Sequence, residues 1–182
     1  MRFYAFALIL SGLFTAGCSL NYGNSTSVKE SVPELVFEQA AFYRYQKGNL
    51  KMNLSSKSLE QYKSGDSYYA SGASFYFRDD QGKLETSGSC GLLGIDNQED
   101  IYLLFEGIEI ENIPQKISLQ AEALKWNGKT EQLTSDSNGK VMLKRDDLEF
   151  WGTGFSASGV SGMFSFESNV NGKIIASDSA AQ

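Results

Sequence analysis

Alternation of apolar and polar side chains is the feature that most constrains the fold of this chain. From residue 34 onward the alternation has a period of two, as in Leu50, Met52 and Leu54, and short polar turns interrupt it. No window of a dozen residues carries the 3.6-residue apolar stripe of an amphipathic helix. Because period two places every second side chain on one face of a strand, the sequence predicts a nearly all-β fold.

Turn residues divide the alternating region into short strands. Gly, Asn and Asp cluster between the runs, as at residues 47–49, 79–82, 127–128 and 137–139. Short strands without crossover helices predict an antiparallel jelly roll or open sandwich. The length of 182 residues suits one such domain, which we place at residues 33–175. The predicted strands are 42–45, 50–54, 68–77, 83–93, 101–110, 117–126, 131–136, 140–144, 148–157 and 163–170.

The N-terminus has the features of a lipoprotein signal peptide. Arg2 precedes an apolar run of about a dozen residues, which is shorter than the roughly 20 that span a bilayer. Small residues Ala16 and Gly17 then precede Cys18, and residues 13–18 resemble a bacterial lipobox. We predict a signal peptide at 1–17, a lipid anchor on Cys18, a flexible tether at 18–32 and a tail at 176–182. The alternative is an ordinary secretory peptide in which the cysteine is coincidental.

Composition excludes several classes of function. The chain has no histidine, which removes Ser-His-Asp and Cys-His nucleophiles and every zinc site that needs imidazole. Sixteen basic against 22 acidic residues give a net charge of −6 without a basic cluster, which argues against nucleic acid as a partner. We predict no catalytic residue, no metal and no cofactor, and we interpret Cys90 as a small buried hydrophobe.

Several segments resemble the LptC family, the membrane-anchored periplasmic component of lipopolysaccharide export within the OstA-like β-jelly rolls. An acidic, Leu-containing strand, a Thr/Ser-bearing strand and a strand broken by Gly-x-Gly follow one another in the same order. The chain departs from the family at its anchor, since members usually keep an N-terminal transmembrane helix. The segments that carry the resemblance are 35–40 (LVFEQA), 43–45 (YRY), 48–50 (GNL), 121–126 (AEALKW), 133–136 (LTSD) and 148–157 (LEFWGTGFSA).

The resemblance implies export of lipopolysaccharide, or a related glycolipid, along a relay of such rolls. Acyl chains would lie in an apolar slot, and strand edges at 35–43 and 163–170 would dock inner-membrane ABC transporter components and an OstA-like periplasmic bridge protein. The implied location is the periplasmic face of the inner membrane. The slot candidates are Leu50, Met52, Leu54, Phe75, Phe77, Leu103, Phe105, Leu119, Phe150 and Phe164, with Phe37, Trp126, Leu143, Phe155 and Phe166 as further members.

Two other interpretations stay open. The same apolar residues would also form the plain core of a structural or surface lipoprotein that carries no lipid cargo. Glu109 and Glu111 lie two apart on one strand face, and jelly-roll glycosidases use paired carboxylates. Because we expect no Gln or Trp platform for a sugar around this pair, we favour a solvated strand face over a glycosidase.

Overall fold

A computed structural model describes residues 32–62 and 67–174 of the chain. These residues form ten strands and no helix, which confirms the predicted all-β fold. The predicted signal peptide, Cys18, nearly all of the tether and the tail lie outside the described residues. The strands are β1 (Leu35–Gln46), β2 (Asn49–Tyr62), β3 (Ser67–Arg78), β4 (Leu84–Asp96), β5 (Ile101–Asn112), β6 (Ile117–Asn127), β7 (Gln132–Thr134), β8 (Lys140–Arg145), β9 (Leu148–Ser158) and β10 (Phe164–Ile174).

All ten strands belong to one antiparallel sheet in which chain neighbours mostly pair. β1 to β6 follow one another across the sheet, and β10 pairs with β9. Two short strands, β7 and β8, lie between β6 and β9. β7 pairs with one end of β6 and β9, and β8 pairs with the other end of the same two strands. Within the described residues β1 pairs only with β2, and β10 only with β9. Both predicted edge strands are therefore edges of the sheet.

The turns follow the local chemistry of their residues. Lys47 and Gly48 both have positive φ, 51° and 83°, as a two-residue type I′ hairpin turn requires. In the loop after β3, the Asp79 carboxylate accepts hydrogen bonds from the backbone N–H groups of Gln81 and Lys83, both at 2.9 Å. The Asn127 side chain accepts from two N–H groups in the same way. These bonds satisfy backbone donors in the loops and fix where each strand begins.

Left-handed backbone bends several strands near their middles. Gln39 in β1, Gly72 in β3, Glu106 and Gly107 in β5 and Asn169 in β10 all have φ between 53° and 68°. The bend also shifts the alternation: Phe75 and Ala73 are buried on one side of Gly72, whereas on the other side the next buried residue of β3 is Ala70. Buried residues from both halves of the strands join one cluster. The single sheet therefore folds over on itself as a roll, with one inner face and one outer face.

Candidate functional site

The centre of the inner face is a closed apolar core. Leu59, Ile108, Val141, Leu143 and Phe155 are each 2% exposed or less. Cys90 also lies here, and burial, with a smaller contribution from the negative charge of Glu106, raises the pKa of its thiol to about 11. The cysteine is therefore neutral and unreactive near neutral pH, as predicted for a buried hydrophobe. This core holds the middle of the roll together.

The apolar inner face becomes exposed to solvent at β1. Phe37 pairs in register with Leu59, and Phe42 with Leu54, so each pair points to the same side of the sheet. Leu59 and Leu54 are 1% and 6% exposed, but Phe37 and Phe42 are 45% and 41% exposed. No strand among the described residues lies beyond β1. The apolar inner face therefore continues outward to an open side.

Aromatic side chains line the opposite edge. The rings of Phe164 and Phe166 on β10 lie 6.4 Å and 5.3 Å from the ring of buried Phe155 on β9. Phe164 is nevertheless 38% exposed, and Ile174 at the end of the same strand is 72% exposed. Like β1, β10 thus has apolar side chains that pack against the core and others that are exposed to solvent.

The structure distributes the ten main slot candidates over three environments. Leu54, Phe75 and Leu119 are buried in the core. Leu103 and Phe105 are exposed and point away from it, since their neighbours Leu104 and Ile108 are the buried residues of β5. The other five are half-buried or exposed and share the alternation of the inner face: Leu50, Met52, Phe77, Phe150 and Phe164.

Few polar groups reach the inner face. Ser56, opposite Ala40 of β1, is 8% exposed, and its Oγ has no hydrogen-bond partner among the described residues. Burial, together with the negative charge of Asp100, raises the pKa of Tyr102, so that its hydroxyl stays neutral. The charges of Asp100 and Arg44 thus lie near Tyr102, whereas Ser56 places one free hydroxyl on the apolar inner face beside the open side.

The outer face contradicts one expectation from the sequence. Gln120 pairs directly with Glu109, and its side chain donates to the Glu109 carboxylate at 3.3 Å. Met142 pairs with Gln120, and Trp151 with Met142, so all four side chains form one row across four strands. The expectation that no Gln or Trp lies around the acidic pair is therefore wrong, because strand register brings together residues that are distant in sequence.

Two further features of the described residues concern membrane crossing and metal binding. No helix that is long and apolar enough to cross a membrane occurs in 32–62 or 67–174. The same residues contain no group of three or more His, Cys, Asp or Glu side chains placed to hold a metal ion.

Comparison with known proteins decides the family. The model of the family described as lipopolysaccharide-assembly, LptC-related matches residues 4–175, which is nearly the whole chain. The chain belongs to the LptC family. Comparison with curated proteins finds no significant match. Membership in the LptC family supports a role in lipopolysaccharide transport and a periplasmic, membrane-associated location, and the family is one of transport components that are not known as enzymes.

Sequence reasoning missed two residues at the open side of this LptC-family roll. Phe42 lies in the inner row with Leu54, and Ser56 supplies the free hydroxyl. Counting pairs outward from the Lys47-Gly48 turn would place Phe42 opposite Asn53, but the register shifts between Arg44 and Tyr45. A β-bulge that has no distinct sequence signal therefore decides which way Phe42 faces.

Proposed function

We propose that this LptC-family protein is a membrane-anchored periplasmic component that carries lipopolysaccharide, or a related glycolipid, towards the outer membrane. The acyl chains lie along the apolar inner face at the open side of the roll, and the sugars stay in water. Transfer proceeds without chemistry on the cargo. The observation that carries this proposal is the exposure of inner-face apolar residues where β1 ends the sheet, namely Phe37 and Phe42 opposite buried Leu59 and Leu54.

The physical argument rests on the cost of exposing acyl chains to water. Removing a methylene group from water stabilises it by roughly 0.8 kcal/mol. Covering several methylene groups of each acyl chain against Phe42, Phe77 and Phe150 therefore offsets part of the cost of crossing the periplasm. An open slot covers each chain only on one side, which keeps the binding reversible. Ser56 offers its free hydroxyl to a polar atom of the bound lipid.

The two sheet edges suit docking to neighbouring rolls. Among the described residues, no strand pairs with the outer edges of β1 and β10, so a strand of another protein can pair with their backbone groups. In this proposal one edge meets an inner-membrane ABC transporter and the other an OstA-like periplasmic bridge protein, so that the slots form a continuous path. The relay needs both edges to stay free in the isolated protein.

Lipidation of Cys18 is the proposed means of membrane attachment, most simply to the inner membrane. Cys18→Ala should release the protein from membranes or leave the signal peptide uncleaved. Membrane association of a cleaved Cys18→Ala protein would show that the anchor lies elsewhere.

Site-specific photo-crosslinking in cells tests the slot. The crosslinking amino acid replaces Phe42, Phe77 or Phe150 on the inner face, and Leu103 or Phe105 on the outer face serves as the control. Leu103 is 37% exposed, close to the 41% of Phe42, so exposure alone does not separate the two groups. We expect glycolipid adducts at the inner positions only. Equal adducts at both faces, or none at the inner face, would favour a lipoprotein without cargo.

A further inference from the structure

A shallow trough crosses the outer face of the sheet, on the side away from the proposed lipid slot. One part, of about 710 Å³, is lined by side chains that include Glu122, Lys140 and Trp151. A second part, of about 380 Å³, includes Tyr76 and Glu111. Both parts share Glu109 and Gln120, so they adjoin and form one depression, which we call the outer trough.

The outer trough has an aromatic side chain near each end. Trp151 is 38% exposed and Tyr76 is 37% exposed. Successive pairings run from β3 through β4, β5, β6 and β8 to β9, which gives five strand spacings between the two aromatic residues, about 24 Å at the usual spacing in sheets. Each aromatic face is an apolar platform on which the flat side of a pyranose ring can stack.

Polar groups that can accept and donate hydrogen bonds fill the space between the aromatic residues. Gln120 offers an amide, Glu109 and Glu111 offer carboxylates, and several serines line the part near Tyr76. The indole N–H of Trp151 has no hydrogen-bond partner within residues 32–62 and 67–174. Sugar hydroxyls both donate and accept, so a row of mixed donors and acceptors between stacking platforms suits a saccharide.

The charges of the outer trough indicate which kind of saccharide it would bind. Three carboxylates line it, those of Glu109, Glu111 and Glu122, against the single ammonium group of Lys140. A phosphate or uronate group would meet a net negative surface and be repelled. Uncharged hydroxyls and acetamido groups would instead pair with the carboxylates and amides. The surface therefore disfavours the anionic part of a glycolipid.

We propose that the outer trough binds an uncharged oligosaccharide, which lies across the strands with rings stacked on Trp151 and Tyr76. An extended chain of pyranose rings advances by about one strand spacing per ring, so the trough accommodates about five or six rings. The saccharide belongs either to the glycolipid's own headgroup or to the cell-wall glycan. This site is separate from the lipid slot, and binding of an oligosaccharide there does not require the slot.

Calorimetric titration of the full-length purified protein tests this inference with oligomers of N-acetylglucosamine from one to six rings. Affinity should rise with length, and Trp151→Ala should weaken binding of the hexamer about tenfold, in line with the loss of one stacking contact. Tyr76→Ala should weaken the hexamer but not the dimer. Tyr69→Ala is the matched control, since Tyr69 is an exposed aromatic on β3 outside the trough. Melting curves confirm that each variant is folded, and Gln120→Ala replaces Trp151→Ala if the latter unfolds.

Three results would overturn the proposal: no binding of any oligomer, unchanged binding by folded Trp151→Ala or Gln120→Ala, or equally tight binding of uronic acid oligomers. The source of the saccharide is separated by two further measurements on the same protein. Co-sedimentation with isolated cell-wall sacculi, lost in Trp151→Ala, assigns the cell-wall glycan. Titration with the deacylated glycolipid, equally sensitive to Trp151→Ala, assigns the headgroup. Because neither ligand has acyl chains, these results do not depend on the lipid slot.

Discussion

The centre of the inner face and its edges are built from the same kinds of residue but differ in exposure. Leu59 on β2 is 1% exposed, whereas Phe37, its register partner on β1, is 45% exposed. Both side chains point to the same side of the sheet. The comparison shows that the apolar row extends beyond the part of the inner face that is buried. Its residues stabilise the fold at the centre, whereas at the edge their side chains are accessible to a ligand.

The pair Leu59 and Phe37 gives the largest expected effect. Leu59→Ala should destabilise the protein by about 2–5 kcal/mol, because it leaves a cavity in a closed core. Phe37→Ala should cost less than about 1 kcal/mol, since much of its ring is already in water. Urea unfolding of both variants measures the difference. Similar losses of stability would mean that the β1 edge is as closed as the centre.

A second pair compares two glycines that each lie opposite a phenylalanine in register. A Cβ at Gly88 would lie 2.3 Å from Cζ of buried Phe75, whereas at Gly172 on β10 the nearest atom, Cδ1 of Phe150, lies at 3.1 Å. Gly88→Ala should therefore destabilise the fold by about 1–3 kcal/mol through overpacking. Gly172→Ala should change stability by less than about 1 kcal/mol, because the half-buried Phe150 ring has room to move. A lower melting temperature for Gly172→Ala than for Gly88→Ala would contradict this order.

Proline substitutions sharpen the comparison within β10 itself. The Ser158 N–H donates to the Met163 carbonyl at 2.9 Å, and alternation from this bond over the regularly paired residues places the Ser165 N–H towards β9 and the Phe164 N–H towards the open edge. Ser165→Pro should lower the melting temperature, because it removes a ladder hydrogen bond. Phe164→Pro should leave the fold intact but block strand docking, as measured by co-purification with the OstA-like bridge protein.

Phe164→Ala is the control for the docking experiment, since Phe164→Pro also removes the ring that lies 6.4 Å from the ring of Phe155. The alanine variant loses this contact but keeps the backbone donor, and it should retain the bridge protein. If Phe164→Pro also retains the bridge protein, β10 is not the docking edge.

The smallest expected effect is a pH dependence of stability that arises from the buried thiol of Cys90. Burial raises the pKa of Cys90 from 9.0 to about 11. As pH rises through this interval the unfolded chain loses the thiol proton first, so the contribution of Cys90 to stability is present below pH 9 and is lost towards pH 11. The melting temperature of wild type should fall more steeply than that of Cys90→Ala across this interval. Parallel curves for the two proteins would show that the thiol is not buried as described.

The amino-acid sequence by itself determined the strands and the turns. Alternation predicted the all-β fold, and turn residues such as Lys47-Gly48 and Asp79 marked where strands end, because backbone geometry and local hydrogen bonds act over only a few residues. The family resemblance, drawn from short segments, was confirmed by the match over residues 4–175. The lipid anchor, the slot and the docking partners stay predictions.

Only the tertiary structure decided which apolar residues face inward. Leu103, Leu104 and Phe105 are consecutive, so alternation alone does not say which of them is buried, and packing across the roll buries Leu104. The bulge beside Arg44 turned Phe42 towards the inner face, and strand register brought Gln120 and Trp151 into one row with Glu109. These outcomes depend on bends and pairings between strands that are distant along the chain, and such long-range contacts leave no local pattern in the sequence.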